Sequence, residues 1–380
     1  MIDVVRQEIA GGVSPIVVKV GTRVLTQANG RLDHNRIADL AEQVHALRVG
    51  GQQVVLVSSG AVGAGMSELG LTKRPSDLAH LQAVAAVGQT KLIEAYDQTL
   101  RQHGHHAAQV LLTAADLHDR TSYLNVRNTL LSLLRLQTVP IINENDTVAV
   151  DELMKTFGDN DRLAALVTNL LRAPLLIILS DVDGLYDGPP GAPDSKLIST
   201  VERIDDSVTR YVQSHRTGLS KGGMASKLEA ARMATVSGEN VILAHGRAPR
   251  VLERITRGER IGTAFLAQGK SVSPWKRWIG FSAPPQGVLQ LDEGACQAVV
   301  HQGRSLLAIG VHAVQGQFRK GDVVSLHDAL GRERARGLTN YGADELRKIQ
   351  GLHSDDIAAA LGHCPYVEVV HRDNMTITNG

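Results

Sequence analysis

Cysteine is almost missing from this 380-residue chain, where Cys296 and Cys364 stand far apart and in no metal-type spacing. Such scarcity excludes a cysteine zinc site or a multi-bridge framework. The two read as reduced, small apolar residues in a reducing compartment, with a single disulfide left open. Neither sign of charge is in excess. Lys and Arg number 40 against 39 Asp and Glu, a formal net charge of +1, which removes any global argument for nucleic acid or an acidic membrane surface. Long apolar runs are lacking too, since residues 175–179 fall far short of the roughly 20 that span a bilayer. The first residues carry Asp3 and Glu8 where a secretory leader has a basic segment before an apolar one, so a cytoplasmic protein is expected. No Gly-x-x-x-x-Gly-Lys-Ser/Thr and no Gly-x-Gly-x-x-Gly occurs, which weighs against P-loop and Rossmann sites. No internal repeat is present.

What the chain does have is alternation. With 43% apolar and 21% charged residues it is globular in composition, and its length allows two or three domains, each with a core. Short apolar runs at 16–20, 53–57, 107–111, 139–142, 175–179 and 240–243 suit strands buried on both faces of a parallel sheet. Between them lie helical spacings such as Ile37, Leu40, Val44 and Leu47, or Leu163, Leu166, Val167, Leu170 and Leu171. The expected fold is α/β: a three-layer αβα sandwich with a mainly parallel central sheet over residues 1–267, with ligands at the carboxyl ends of its strands. Gly, Ser, Pro and both tryptophans, Trp275 and Trp278, mark a linker at 268–284. Short alternating segments at 287–291, 305–308, 322–326, 332–338 and 366–370 then predict a small β-rich domain over 285–380.

Chemistry concentrates where predicted strands end. Lys19 closes the first apolar run before Gly21-Thr22; by itself it could be a solvated strand-end lysine. The second run enters Ser58-Ser59-Gly60-Ala61, where helix-start amides could hold an anion, or where small residues could simply let a helix pack closely on the sheet. Asn143-Glu144-Asn145-Asp146 and Gly158-Asp159-Asn160-Asp161 load two further termini with donors and acceptors, suiting a zwitterionic amino acid. Asp159 or Asn160 could instead cap the following helix. Ser180-Asp181-Val182-Asp183-Gly184 fails the calcium-loop template and reads as a loop contacting a nucleotide. Lys221-Gly222-Gly223-Met224-Ala225-Ser226-Lys227 adds a glycine-flanked lysine suited to phosphate oxygens. His103, His105 and His106 have no partnering carboxylates or cysteines in sequence and read as a surface turn.

In this order, these motifs resemble those of the amino acid kinase family, and the likeness extends over nearly the whole chain. It continues through Lys276-Arg277-Trp278-Ile279 into a C-terminal segment similar to the PUA domain, with Asp292-Glu293-Gly294-Ala295 and Gly316-Gln317-Phe318. The resemblance is to the branch that phosphorylates the γ-carboxylate of free L-glutamate with ATP and Mg²⁺, opening proline synthesis. It implies that Lys19 and Lys227 contact the transferring phosphoryl group and that Asp161 orients them. Ser59, Asn143, Asp146 and Asn160 match glutamate-binding positions. Lys19, Ser180, Asp181 and the stretch from Lys221 to Lys227 match the ATP site, with no direct protein ligand for the metal. Proline is the implied feedback inhibitor, and a homodimer or homotetramer the implied assembly.

Three positions depart from the pattern: Arg23 replaces a usual Ser, Lys221 a frequent Thr, and Ile309 an often basic residue. The γ-carboxylate is ionised at neutral pH, which removes the requirement for a general base. Kinases of aspartate, acetylglutamate, UMP or carbamate are the nearest alternatives, and a catalytically silent sensor is another. An RNA-binding role is disfavoured, because residues 285–380 hold nine Lys and Arg against eleven Asp and Glu, a local charge of −2.

Overall fold

The computed structural model describes residues 2–27, 29–148, 159–189, 192, 194–213, 223–268, 276, 278–363 and 366–378. The chain divides into two compact units, residues 1–117 with 121–271, and residues 118–120 with 272–380.

Among the described residues, the first unit is built on an eight-stranded sheet. Its strands are β1 (Ile16–Val20), β2 (Val54–Ser58), β3 (Ala107–Leu112), β4 (Val139–Glu144), β5 (Leu175–Ser180), β6 (Thr200–Val201), β7 (Asn240–His245) and β8 (Thr263–Phe265). They lie in the order β3-β4-β2-β1-β5-β7-β8-β6. The described pairings are parallel except β7 with β8. Every residue of β1, β2, β4 and β5 is buried, as covered parallel strands require. β3 differs from the expectation of two-sided burial. It is an edge strand, and Gln109 and Leu111 on it face solvent.

Side chains along β1 alternate between layers. Ile16, Val18 and Val20 join one core with Ile37, Leu40 and Val44 of helix His34–Val49, Leu92 and Tyr96 of helix Leu78–Gln102, and Val251 and Leu252 of helix Val251–Thr256. Val17 and Lys19 therefore face the opposite layer, where helix Asp159–Leu171 packs against β1, β2, β4 and β5, and helix Gly223–Val236 packs against it. The chain places β2 to β4 on one side of β1 and β5 and β7 on the other, so the order reverses at the carboxyl ends of β1 and β5. Such a reversal is where open α/β sheets bind ligands.

Two helices fix the rim beside that point. Helix Leu78–Gln102 opens on Asp77, whose carboxylate accepts from the His80 amide at 3.0 Å. It crosses helix Ala61–Glu68 backbone to backbone: a Cβ on Gly65 would lie 1.8 Å from the Val84 carbonyl oxygen, and one on Gly88 1.8 Å from that of Ala61. Only glycine permits this approach.

The second unit, among its described residues, is a six-stranded sheet in the order β10-β14-β13-β12-β9-β11. The strands are β9 (Gly287–Leu291), β10 (Leu306–Leu307), β11 (Val311–Gly316), β12 (Val323–His327), β13 (Glu333–Thr339) and β14 (Glu368–Ile377). Pairing is antiparallel apart from β9 with β12. Leu289, Leu291, Val324, Leu326, Ala335 and Tyr341 share its core. β11 is an element the sequence pattern did not reveal. So is helix Glu293–Gln302, opened by Asp292 accepting from the Ala295 amide at 2.7 Å.

Candidate active site

Lys19 is the penultimate residue of β1 and only 6% exposed. An ammonium group so placed requires a counter-charge, because burial without one is prohibitive. Asp161, in the first turn of helix Asp159–Leu171 and 1% exposed, supplies it. One carboxylate oxygen lies 2.6 Å from Lys19 Nζ; the other lies 3.2 Å from Lys227 Nζ and accepts from Ser226 Oγ at 2.8 Å. Lys227 also donates to the Gly223 carbonyl at 2.9 Å, one helical turn earlier. Burial by itself would push the Asp161 carboxyl up, but the charges of Lys19 and Lys227 and the hydrogen bonds outweigh it and hold it below the usual carboxylate range. Burial lowers the Lys227 ammonium, opposed by the attraction of Asp161. Lysines 208 residues apart in sequence thus flank one ionised carboxylate.

Asn160, the residue before Asp161, belongs to a neighbouring amide network. Its Nδ2 donates to the Ser58 carbonyl at 3.3 Å, to Ser59 Oγ at 3.0 Å and to Asn143 Oδ1 at 3.1 Å. Asn143 in turn accepts from the Glu144 amide at 2.9 Å and donates to Gln89 Oε1 at 2.8 Å. Ser59 precedes helix Ala61–Glu68, whose N-cap Gly60 sits at φ 107° and offers no side chain to the first-turn amides. Helix-start amides left without a side-chain cap favour an anion in front of them.

Asp146, just past β4, shares a cavity with two members of that network. It lines a cavity of about 160 Å³ with Ala85, Gln89, Gln109, Glu144 and Asn145. Burial pushes its carboxyl up to about 6, against the pull of Arg74. Ser180 ends β5, and its hydroxyl donates to Asp181 Oδ1 at 3.1 Å. Asp181 also forms a 2.7 Å ion pair with Arg23, the departure noted in the sequence. Burial raises the Asp181 carboxyl, and the hydrogen bonds from Arg23 and Ser180 more than reverse this, leaving it low.

The structure therefore brings Lys19, Asp161, Gly223, Ser226 and Lys227 into one cluster, and Ser59, Asn143 and Asn160 into a second that is covalently joined to it. Met224 and Ala225 occupy the first turn of the helix carrying Lys227. Lys221, Gly222 and Gly158 lie outside the described residues, as do Trp275 and Cys364. Cys296 is a free thiol. The histidine turn after helix Leu78–Gln102 gains His45, which stacks on His103 at 3.9 Å between ring centroids.

Gln89 is the residue that motif reading missed. Its signal was available: it falls in the stripe Leu81, Val84, Ala85, Gly88 and Leu92, all buried, where a polar side chain is out of place.

Paired lysines on a shared carboxylate, at a sheet reversal on an αβα sandwich, are an arrangement suited to a phosphotransferase. The chain belongs to the amino acid kinase family, which matches residues 14–245, and a PUA domain matches residues 287–361. It is 48% identical over 373 residues to glutamate 5-kinase of Rhodopirellula baltica, covering 98% of this chain and 96% of that one. It is 46% identical to glutamate 5-kinase of Caldanaerobacter subterraneus, covering 95% and 97%. Glutamate 5-kinase of Thioalkalivibrio sulfidiphilus is 48% identical, with 95% and 96% covered.

Proposed function

We infer that this chain transfers the terminal phosphoryl group of ATP to the γ-carboxylate of L-glutamate, giving L-glutamyl 5-phosphate, the first step of proline synthesis. Full-length similarity to glutamate 5-kinases supports the substrate pair. The observation that carries the mechanism is Asp161 held between Lys19 and Lys227.

An ionised carboxylate attacking an ATP phosphate meets electrostatic repulsion rather than a shortage of base strength. Lys19 and Lys227 offset that repulsion, and they stabilise charge on the equatorial oxygens in transit. Asp161 keeps the two ammonium groups side by side without accepting a proton from either, because its carboxyl is held low. The amides after Ser59 face the same charge.

The amino acid then extends along the strand ends. β1 and β4 are separated by β2, a span of about 10 Å at the usual strand spacing. The reacting γ-carboxylate sits at the lysine end, Ser59, Asn143 and Asn160 line its course, and Asp146 meets the α-ammonium. Ser180, Asp181 and residues 221–227 take the nucleotide. Arg23 adds a second positive group on the nucleotide side through its pairing with Asp181.

Protein carboxylates near the lysines are already engaged, Asp161 by two lysines and Ser226, Asp181 by Arg23 and Ser180. Mg²⁺ would therefore be held by the phosphates of ATP, where it neutralises charge on the β and γ groups. Proline, a cyclic relative of glutamate, would compete at the Asp146 end. The enzyme would assemble as a dimer or tetramer and act in the cytoplasm; among the described residues, no helix is long and apolar enough to cross a membrane.

The test is ADP release with L-glutamate, L-aspartate, N-acetyl-L-glutamate, UMP and carbamate, each with and without proline. Turnover with glutamate, reduced by proline, is expected. Turnover only with another acceptor would overturn the reading.

A further inference from the structure

We propose that Gln89 reads the α-carboxylate of the amino-acid substrate, donating from Nε2 and thereby setting specificity for a free α-carboxylate. This rests on the glutamate reading above and adds to it a residue and a recognised group.

Hydrogen-bond direction orients each amide in turn. A backbone amide can only donate, and a backbone carbonyl can only accept. The Glu144 amide donates to Asn143 Oδ1, so Asn143 Nδ2 faces away and must be the donor toward Gln89. The Ser58 carbonyl, at the other end, fixes Asn160 Nδ2 as a donor, which in turn meets Asn143 Oδ1. Two independent backbone anchors impose the same sense on the chain of amides. Gln89 must therefore offer Oε1 to Asn143, and its Nε2 is left over.

That leftover group is buried and has no hydrogen-bond partner among the described residues, on a side chain that is 7% exposed. A buried N–H₂ without an acceptor is destabilising, and proteins retain one where a ligand supplies the acceptor. Gln89 lines the cavity that Asp146 also lines, on the β4 side of the sheet and two strands from Lys19. The γ-carboxylate is committed to the lysines and the α-ammonium to Asp146. The α-carboxylate is the one charged group of glutamate still lacking a donor. The backbone that carries Gln89 is held in place, because Gly88 packs directly on the Ala61 carbonyl next door.

Two variants separate this role from the amide relay. Gln89→Glu keeps an oxygen for Asn143 but turns the second atom into an acceptor that repels a carboxylate. Gln89→Met removes both functions. Steady-state kinetics at pH 8 would compare L-glutamate with its α-carboxamide, which keeps the γ-carboxylate, alongside thermal unfolding of each protein. In Gln89→Glu the KM for glutamate should rise tenfold to a hundredfold, the scale of one charge-assisted hydrogen bond, with kcat and the KM for ATP moved less. The preference for glutamate over the α-carboxamide should fall at least tenfold in both variants. A preference unchanged within twofold in Gln89→Glu, with wild-type turnover on glutamate intact, overturns this inference alone. No turnover of glutamate by the unmodified enzyme overturns the substrate reading and this one together.

Discussion

Strand β1 of the first unit and strand β9 of the second are equally short, yet they bury their residues differently. All five positions of β1 are buried, whereas β9 alternates buried with half-buried. A lysine within β1 must find a counter-charge in the protein, and Lys19 finds Asp161. In the second unit the antiparallel sheet leaves one face wetter, so Arg336 on β13 and Glu333 beside it pair locally and at little gain. Continuous burial turns a polar residue into evidence of function; alternating burial does not.

Substitutions can break this contrast, beginning with the largest expected effect. Asp161→Asn should lower kcat by about a thousandfold, since both ammonium groups lose their common acceptor. It should also destabilise the fold by roughly 3–5 kcal/mol, the range for uncovering one side of a buried ion pair. A loss under tenfold in coupled ADP release would remove Asp161 as the organiser. Gly88→Ala comes next: the overlap is with backbone, so helix Leu78–Gln102 must move, and a loss of about 3 kcal/mol or more is expected in denaturant unfolding. Ordinary stability would show that the crossing is loose.

Asp146→Asn tests the opposite case, a carboxylate that is harmful to the fold and useful to the site. Its carboxyl is raised from 3.8 to about 6, so between those values the folded chain holds more protons than the unfolded one. Stability therefore falls as pH rises through that window, by on the order of 3 kcal/mol in total. The variant should melt higher than wild type at pH 7 and the same at pH 3.5, while the KM for glutamate rises at least tenfold. In the wild type that KM should also climb as pH drops below about 6. Lower melting of the variant at pH 7 would contradict this. Gly303→Ala, in the second unit, is the smallest change. The site has a φ of +62° and open space around it, so about 1 kcal/mol is expected with kcat unaltered.

The same contrast explains what could be read from the chain. β1, β2, β4, β5 and β7 were legible as uninterrupted apolar runs, and Lys19 stood out by ending one. Asp161 and Lys227 were legible as motif residues, but the meeting of Lys19 and Lys227 on that carboxylate follows from how the helix carrying Asp161 packs on β1 and on the helix carrying Lys227, which no local pattern contains. β3 read as a buried strand because Ala, Val and Leu do not announce a sheet edge. Gln89 was hidden by its helix: exposed glutamines such as Gln102 further along look identical until the buried stripe is traced. β8 and β6 were too short to form a pattern. In β11 the core-facing Val311 and Val314 stand three residues apart, because the register shifts between Val311 and Ala313, and that breaks the alternation.

Whether Lys19 and Lys227 serve one phosphoryl group is most directly tested by kcat in Lys19→Ala, Lys227→Ala and the double variant, with unfolding curves to show that each is folded. Each single change should cost at least about a hundredfold, and the double should cost far less than the product of the two, as for groups acting on one transition state. Losses that multiply, or a folded Lys227→Ala enzyme with near-normal turnover, would contradict the shared site.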